Sequence, residues 1–196
     1  MTSELSFTET FKKEFGYLRE DYKIFYKRNI KTDNFLSLIL NLLMCHGLHI
    51  MCIFRFGKVV YSIKIPVISH IGKILFQFLR YFFFTFYGIW LGPLSEFGPG
   101  FYIGHYGGIV VRGKFGKNCS ISQGVTIGSK GAGKTAGWPV FGDNVYIAAG
   151  AKIIGDVKIG SNVVIGANAV VLTDIPDNSM AVGIPAKIKP MPQKTE

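Results

Sequence analysis

From residue 97 onward, large apolar residues recur every six positions: Phe97, Ile103, Ile109, Phe115, Ile121 and Ile127, then Phe141, Ile147, Ile153, Ile159, Ile165 and Val171. An amphipathic helix repeats every 3.6 residues and a half-buried strand every two, so neither produces this spacing. A small residue follows most of them by one step (Gly98, Gly104, Gly116, Ser122, Gly142, Ala148, Gly160, Gly166). A compact one follows by four steps (Gly113, Cys119, Val125, Val145, Ala151, Val163, Ala169). A unit with one large inward side chain, a turn-permissive residue and a second small inward residue predicts a prism-shaped parallel β-helix, three short strands to a coil. Glycine supplies the backbone freedom at the corners. The spacing further predicts that residues eighteen apart stack on neighbouring coils.

The repeat breaks once. Fourteen residues separate Ile127 from Phe141 where six would do, and residues 129–139, Ser-Lys-Gly-Ala-Gly-Lys-Thr-Ala-Gly-Trp-Pro, are too polar and glycine-rich for a core. They are expected to project as a loop, and long loops on a rigid scaffold are where function concentrates. Trp138 at the end of such a loop is expected to cover something.

Residues 1–92 follow another plan. They hold 13 of the 17 Phe and 12 of the 22 Lys and Arg. Asn34–Phe56 and Ile65–Leu91 read as apolar helices, and residues 12–31 as an amphipathic helix with a solvated face. The chain of 196 residues thus divides into a helical region (1–92), a β-helix (93–189) and a short tail (190–196). Polar and charged residues interrupt both apolar stretches, which favours helices packed on each other and on the end of the β-helix over membrane spans. The basic aromatic run from Arg80 to Phe84 also suits peripheral contact with a membrane surface. Three widely spaced cysteines, Cys45, Cys52 and Cys119, and a start without a charged-then-apolar leader point to a reducing cytoplasmic compartment, with the inner membrane face as an alternative. Cys45 and Cys52, seven apart, are expected on one buried helix face, and neither has ligand-spaced partners for a metal.

The net charge of +10 suits nucleic acid, an anionic surface or a phosphate-bearing co-substrate. Nucleic acid is disfavoured because the lysines of the β-helix form no stripe interleaved with aromatics. Within the repeat there is one histidine, His105, two steps past an inward residue and so directed outward. A neutral imidazole is the usual base for taking a proton from a hydroxyl. A single histidine cannot make the three-histidine zinc site of a β-helix hydratase. His46, His49 and His70 lie in apolar helices and read as structural.

Ile103-Gly104-His105, Gln123 to Gly128, Ile147 to Gly155, Ile165 to Val171 and Val182 to Ile188 together resemble the hexapeptide-repeat acyltransferases. Within them the chain is similar to the serine acetyltransferase branch and to its relatives in surface-polysaccharide synthesis. The resemblance covers roughly residues 93–189. It implies a left-handed β-helix, a homotrimer with the site between subunits and acetyl-CoA as donor; from the residues themselves no metal is expected. It assigns His105 as the catalytic base. Gly128, Ser129, Ala149, Gly166 and Ala167 would line the pantetheine channel, and Lys134 and Lys187 would meet the cofactor's phosphates.

Three positions depart from the serine enzymes' pattern. Gly104 stands where they carry an acidic residue before the histidine, Trp90 stands for an aspartate one coil earlier, and Gly137-Trp138-Pro139 replaces Arg-His-Pro. Without those groups a zwitterion lacks counter-charges, whereas an aromatic platform suits a sugar ring. The sequence therefore favours a carbohydrate hydroxyl as acceptor, read by Tyr106, Gln123 and Trp138, with serine O-acetylation as the alternative. Gln123, eighteen residues past His105, is expected one coil above it and able to hold its second ring nitrogen.

Overall fold

The computed structural model describes residues 5–29, 34–131 and 137–191. Four helices come first: α1 (Phe7–Asn29), α2 (Phe35–Met44), α3 (His46–Ser62) and α4 (Pro66–Tyr87). Ser6 and Glu9 open α1 with a reciprocal cap. The Glu9 carboxylate accepts from the Ser6 N–H at 2.8 Å, and the Ser6 hydroxyl accepts from the Glu9 N–H at 3.3 Å. Asn34 caps α2 through the Leu36 N–H. Cys45 marks a break between α2 and α3, so it and Cys52 do not share one helix; Cys45 is buried and Cys52 half-buried. Pro66 opens α4, and Gly88 closes it at φ +60°, a conformation that favours glycine.

The chain passes directly from Gly88 into a parallel β-helix. One face has five strands (Ile89–Leu91, Ile109–Val111, Thr126–Gly128, Lys152–Ile154, Val170–Val171), a second has four and a third has six. Its first strand begins at Ile89, ahead of the first readable repeat, because Ile89 and Leu91 already point inward. The last strand, Lys187–Pro190, folds back antiparallel on Ser179–Val182 and covers the end of the six-stranded face.

Inside the prism the inward residues stack coil on coil. Phe97, Phe115 and Phe141 form one column, with ring centroids 5.1 and 4.3 Å apart. Ile103, Ile121, Ile147 and Ile165 form another, all essentially inaccessible. Burying each such side chain contributes about 1.5–3 kcal/mol. At the corner between the four- and six-stranded faces, Asn118, Asn144, Asn162 and Asn178 adopt φ of 55–58°. Their side-chain amides donate up the column, 118 to 144, 144 to 162 and 162 to 178. This ladder satisfies polar groups at a left-handed backbone position that few non-glycine residues tolerate.

The expected uniform register fails in the last coil, where Val164 pairs with Met180 sixteen residues on, and at the coil that carries His105. Ile103 pairs with Ile121, eighteen residues on, but Val110 pairs with Thr126, sixteen on. Val111, and not Ile109, is therefore the counterpart of Ile127.

Arg55 joins the two halves of the molecule. From α3 its guanidinium donates to Asp21 (3.0 Å) and Glu14 (3.2 Å) of α1 and to the Phe97 and Gly98 carbonyls (both 2.8 Å) of the first coil. Asp21 in turn accepts from the Phe101 N–H at 2.8 Å. All three charged side chains are buried. Burial pushes the Asp21 carboxyl above the usual carboxylate range, against the pull of Arg55. On the other side of α3, Gly57 admits Phe76 and Gly72 admits Val60, so α4 packs closely along one face. Packing does not cover the rest of α4, contrary to the sequence expectation: its buried residues are Ser69 and Phe76.

Candidate active site

His105 lies at the corner joining the six-stranded face to the five-stranded face. The change of register from eighteen to sixteen leaves two residues surplus there. Backbone bonds show which two. The Gly104 N–H donates to the Ile121 carbonyl and the Gly124 N–H to the Gly107 carbonyl, both at 2.9 Å, so the coils are in register on either side of His105-Tyr106. That dipeptide bulges from the prism, exposed, and is followed by Gly107 and Gly108 at φ +100° and +66°. A Cβ at either glycine would be strained.

The bulge corrects the placing of Gln123. By the register of sixteen, Gly107 lies below Gln123, and no side-chain hydrogen bond joins Gln123 to His105 among the described residues. Helices hold the bulge instead. The Tyr106 ring lies 4.5 Å from that of His46, the first residue of α3, and His46 meets Tyr87 edge-on at 4.5 Å. The Tyr87 hydroxyl is 3.0 Å from His49 Nδ1, and His49 Nε2 is 2.9 Å from the Leu42 carbonyl. A carbonyl can only accept, so Nε2 carries the proton and Nδ1 accepts from Tyr87. Burial, and then the neighbouring His49, hold the His46 imidazole below its ordinary value. Tyr106, expected to read the acceptor, therefore packs on the helices through one face.

Ala149, Gly166 and Ala167 rise along the same corner as His105. The Ala149 carbonyl accepts from the Asn168 N–H at 2.9 Å, and a Cβ on Gly166 would meet Val182 Cγ1 at 2.8 Å. Gly128, Ser129 and Trp138 lie at the other edge of the five-stranded face, where the excursion leaves and rejoins the coil. The two groups are separated by a strand of three residues, about 10 Å, so one protomer does not bring all the expected residues together. Lys187 is exposed on the last strand, opposite Val182. Lys134 lies outside the described residues.

What Trp138 covers is Arg112. The guanidinium stands 3.6 Å from the centroid of the indole, and its Nε is buried with no hydrogen-bond partner. Asp156 packs across Gly137 beside it. The sequence reading missed Arg112, although a signal existed: arginine occupies a corner position where Gly128 stands one coil up. It also missed Lys152, which donates to the Gly124 carbonyl (2.7 Å) and to Thr126 Oγ1 (3.0 Å) on the five-stranded face.

Two alternatives for chemistry are removed. Cys119 is inaccessible, its thiol is pushed up to about 11 by burial, and it donates to the Gly142 carbonyl at 3.2 Å. It is therefore inert as a nucleophile. An apolar cavity of about 340 Å³ between α3, α4 and the first coil is lined by no histidine, cysteine or carboxylate. Among the described residues no cluster of His, Cys, Asp and Glu could hold a metal ion.

Residues 139–173 match the family model described as bacterial transferase hexapeptide (six repeats). The serine acetyltransferase of Bacillus pumilus (strain SAFR-032) is 31% identical over 176 residues, covering 89% of this chain and 76% of the relative. The chain belongs to the serine acetyltransferase family. The Synechococcus elongatus member is 34% identical over 179 residues, covering 89% of this chain and 68% of its own. The match to these relatives thus reaches into the N-terminal helices, where the sequence offered no quotable motif. Among solved structures, Neisseria gonorrhoeae serine acetyltransferase superposes with a TM-score of 0.75 at 31% identity, over 94% of this chain and 67% of that one. The Brucella abortus strain S19 enzyme, in complex with coenzyme A, gives 0.77 at 27% identity over 94% and 71%. This family member is an acyltransferase with acetyl-CoA as co-substrate. The relatives give no support to a carbohydrate acceptor.

Proposed function

We propose that this chain transfers the acetyl group of acetyl-CoA to the hydroxyl of L-serine, with His105 as general base. The observation that carries this reading is Arg112 on Trp138. The sequence suggested that exchanging Arg-His for Gly-Trp removes the counter-charge for a carboxylate. Arg112, from the coil below, returns a guanidinium to that edge, and it covers an indole face that a sugar ring would need. Arginine is suited to a carboxylate because its donors form a rigid fork.

In the reaction His105 takes the hydroxyl proton as the oxygen attacks the thioester carbonyl. A backbone N–H stabilises the oxyanion, the C–S bond breaks, and the imidazolium returns its proton to the departing thiolate. No acyl-enzyme forms, since Cys119 is inert. Gly128, Ser129, Ala149, Gly166 and Ala167 line the pantetheine path, and Lys134 and Lys187 meet the phosphates. A homotrimer supplies the missing proximity: the His105 edge of one protomer faces the Trp138 edge of its neighbour.

A second reading rests on Gly104 and Trp90. Neither supplies a carboxylate for an amino acid's ammonium group, which leaves a neutral carbohydrate hydroxyl as the competing acceptor. Thiol release from acetyl-CoA distinguishes the two, measured with L-serine and with capsule-type or lipopolysaccharide-type oligosaccharides. The serine reading expects saturable serine turnover that loses affinity in Arg112→Ala. Turnover of the oligosaccharides alone would replace it with the second reading.

A further inference from the structure

The apolar cavity of about 340 Å³ between α3, α4 and the first coil is walled by Ile50, Phe54, Phe76, Ile89 and Leu91, all buried. Protein interiors are close-packed, with few voids larger than a water molecule, and an apolar space holds water poorly. Wall atoms that face such a space lack dispersion contacts that an apolar guest would restore. The walls cannot simply close on it. Gly57 of α3 already lies against the Phe76 ring of α4 with no room for even a Cβ, and Phe54 meets Phe97 of the first coil edge-on at 4.9 Å.

Charge selects the guest. No carboxylate lines the cavity, yet two cations do, Arg80 from α4 and Lys58 from α3. Arg80 lies four residues after Phe76 and so on the side of α4 turned to α3. Its Nε donates to Gln77 Oε1 at 3.0 Å, and its two terminal nitrogens have no hydrogen-bond or ion-pair partner among the described residues. They leave a planar pair of N–H donors, the fork that grips a carboxylate. Lys58 is half-buried, with its Nζ 3.4 Å from the Pro93 carbonyl and 5.2 Å from the centre of the Phe54 ring. Burial lowers its pKa, and the carboxylates that pull the other way, Glu14 and Glu96, are engaged by Arg55 and Lys114. Two cations without carboxylate partners on an apolar cavity suit an anion with an apolar body. The volume falls at the lower end of small-molecule sites, about 300–1,000 Å³, which fits a chain of moderate length and not a partner protein.

We propose that this cavity binds a medium-chain aliphatic carboxylate, its tail among Ile50, Phe76, Ile89 and Leu91 and its head group on Arg80, with Lys58 adding a second positive charge. None of the lining residues belongs to the site around His105 and Trp138. The proposal therefore stands or falls independently of the acceptor that the enzyme acetylates.

The test is isothermal titration calorimetry of the full chain with sodium decanoate, kept below the concentration at which it forms micelles, against 1-decanol and sodium acetate. Decanoate is expected to bind saturably at one site per chain and to raise the melting temperature. Decanol should bind more weakly and acetate not at all. Arg80→Met should weaken decanoate roughly tenfold or more, as loss of a hydrogen bond between charged groups does, and leave decanol unchanged. Ile53→Trp, which fills the cavity from a half-buried position on α3, should abolish binding of both while keeping the wild-type circular dichroism spectrum. No saturable decanoate binding by wild type overturns the proposal, as does equal affinity for decanol and decanoate or an Arg80→Met variant that binds decanoate as wild type does. Undiminished binding in a natively folded Ile53→Trp would place the ligand outside the cavity and overturn it too.

Discussion

Replacing Arg55 by alanine removes a side chain that bonds at once to α1 and to the first coil. In the native chain its guanidinium bonds to two carboxylates and two backbone carbonyls, all in the buried seam. Deleting one partner of a buried ion pair costs about 3–5 kcal/mol, because the other charge stays behind without compensation. The stranded groups are Glu14 and Asp21, both buried; Asp21, inaccessible, keeps its bond from the Phe101 N–H. Taking about 4 kcal/mol, and about 2–4 °C of melting temperature per kcal/mol for a chain of this size, Arg55→Ala should melt about 8–16 °C below wild type. Thermal melts followed by far-ultraviolet circular dichroism measure this directly. Asp21→Asn in the same background should recover part of the loss, since it removes one buried charge while its side-chain oxygen still accepts from Phe101. A drop of less than about 3 °C in Arg55→Ala, or no recovery with Asn at 21, would mean that the clamp does not hold the helices to the β-helix.

The same carboxyl gives a pH signature. Burial raises Asp21 in the folded state, so its contribution is greatest where it is protonated in both states and falls away as pH rises through the folded value. Without Arg55 this fall should steepen: urea midpoints of Arg55→Ala should decline between about pH 4 and neutrality relative to Arg55→Ala/Asp21→Asn, and a relative rise would reverse the assignment. Lys187→Ala should raise the KM for acetyl-CoA and leave kcat nearly unchanged, as loss of uniform binding does. An unchanged KM would move the phosphate site away from the last strand.

Much of the fold was legible because each inward position of a coil is fixed by one large residue, and a period of six has few structural solutions. The slip at His105 was not legible. Its two extra residues are cancelled at the next corner, where only Arg112 and Gly113 separate Val111 from Lys114, so Phe97 and Phe115 remain eighteen apart. The error fell on the residue that mattered, displacing Gln123 from above the histidine. The uncovered side of α4 was hidden for a different reason: apolar content is the same whether a helix is wrapped by protein or left open. Arg55, Asp21 and Glu14 are scattered over 42 positions of sequence and carry no local pattern at all. Trp138 was rightly expected to cover something, but a partner from the previous coil could be named only once the register at the corner was known.

The central assignment is that His105 performs the proton transfer of a direct acetyl transfer. Steady-state thiol release with acetyl-CoA and L-serine should be compared in wild type, His105→Ala and Cys119→Ala. His105→Ala should lose roughly 10²–10⁴-fold in kcat, the usual contribution of a general base, while Cys119→Ala keeps wild-type turnover. Normal serine-dependent turnover in His105→Ala, or its loss in Cys119→Ala with the fold intact, would contradict the account.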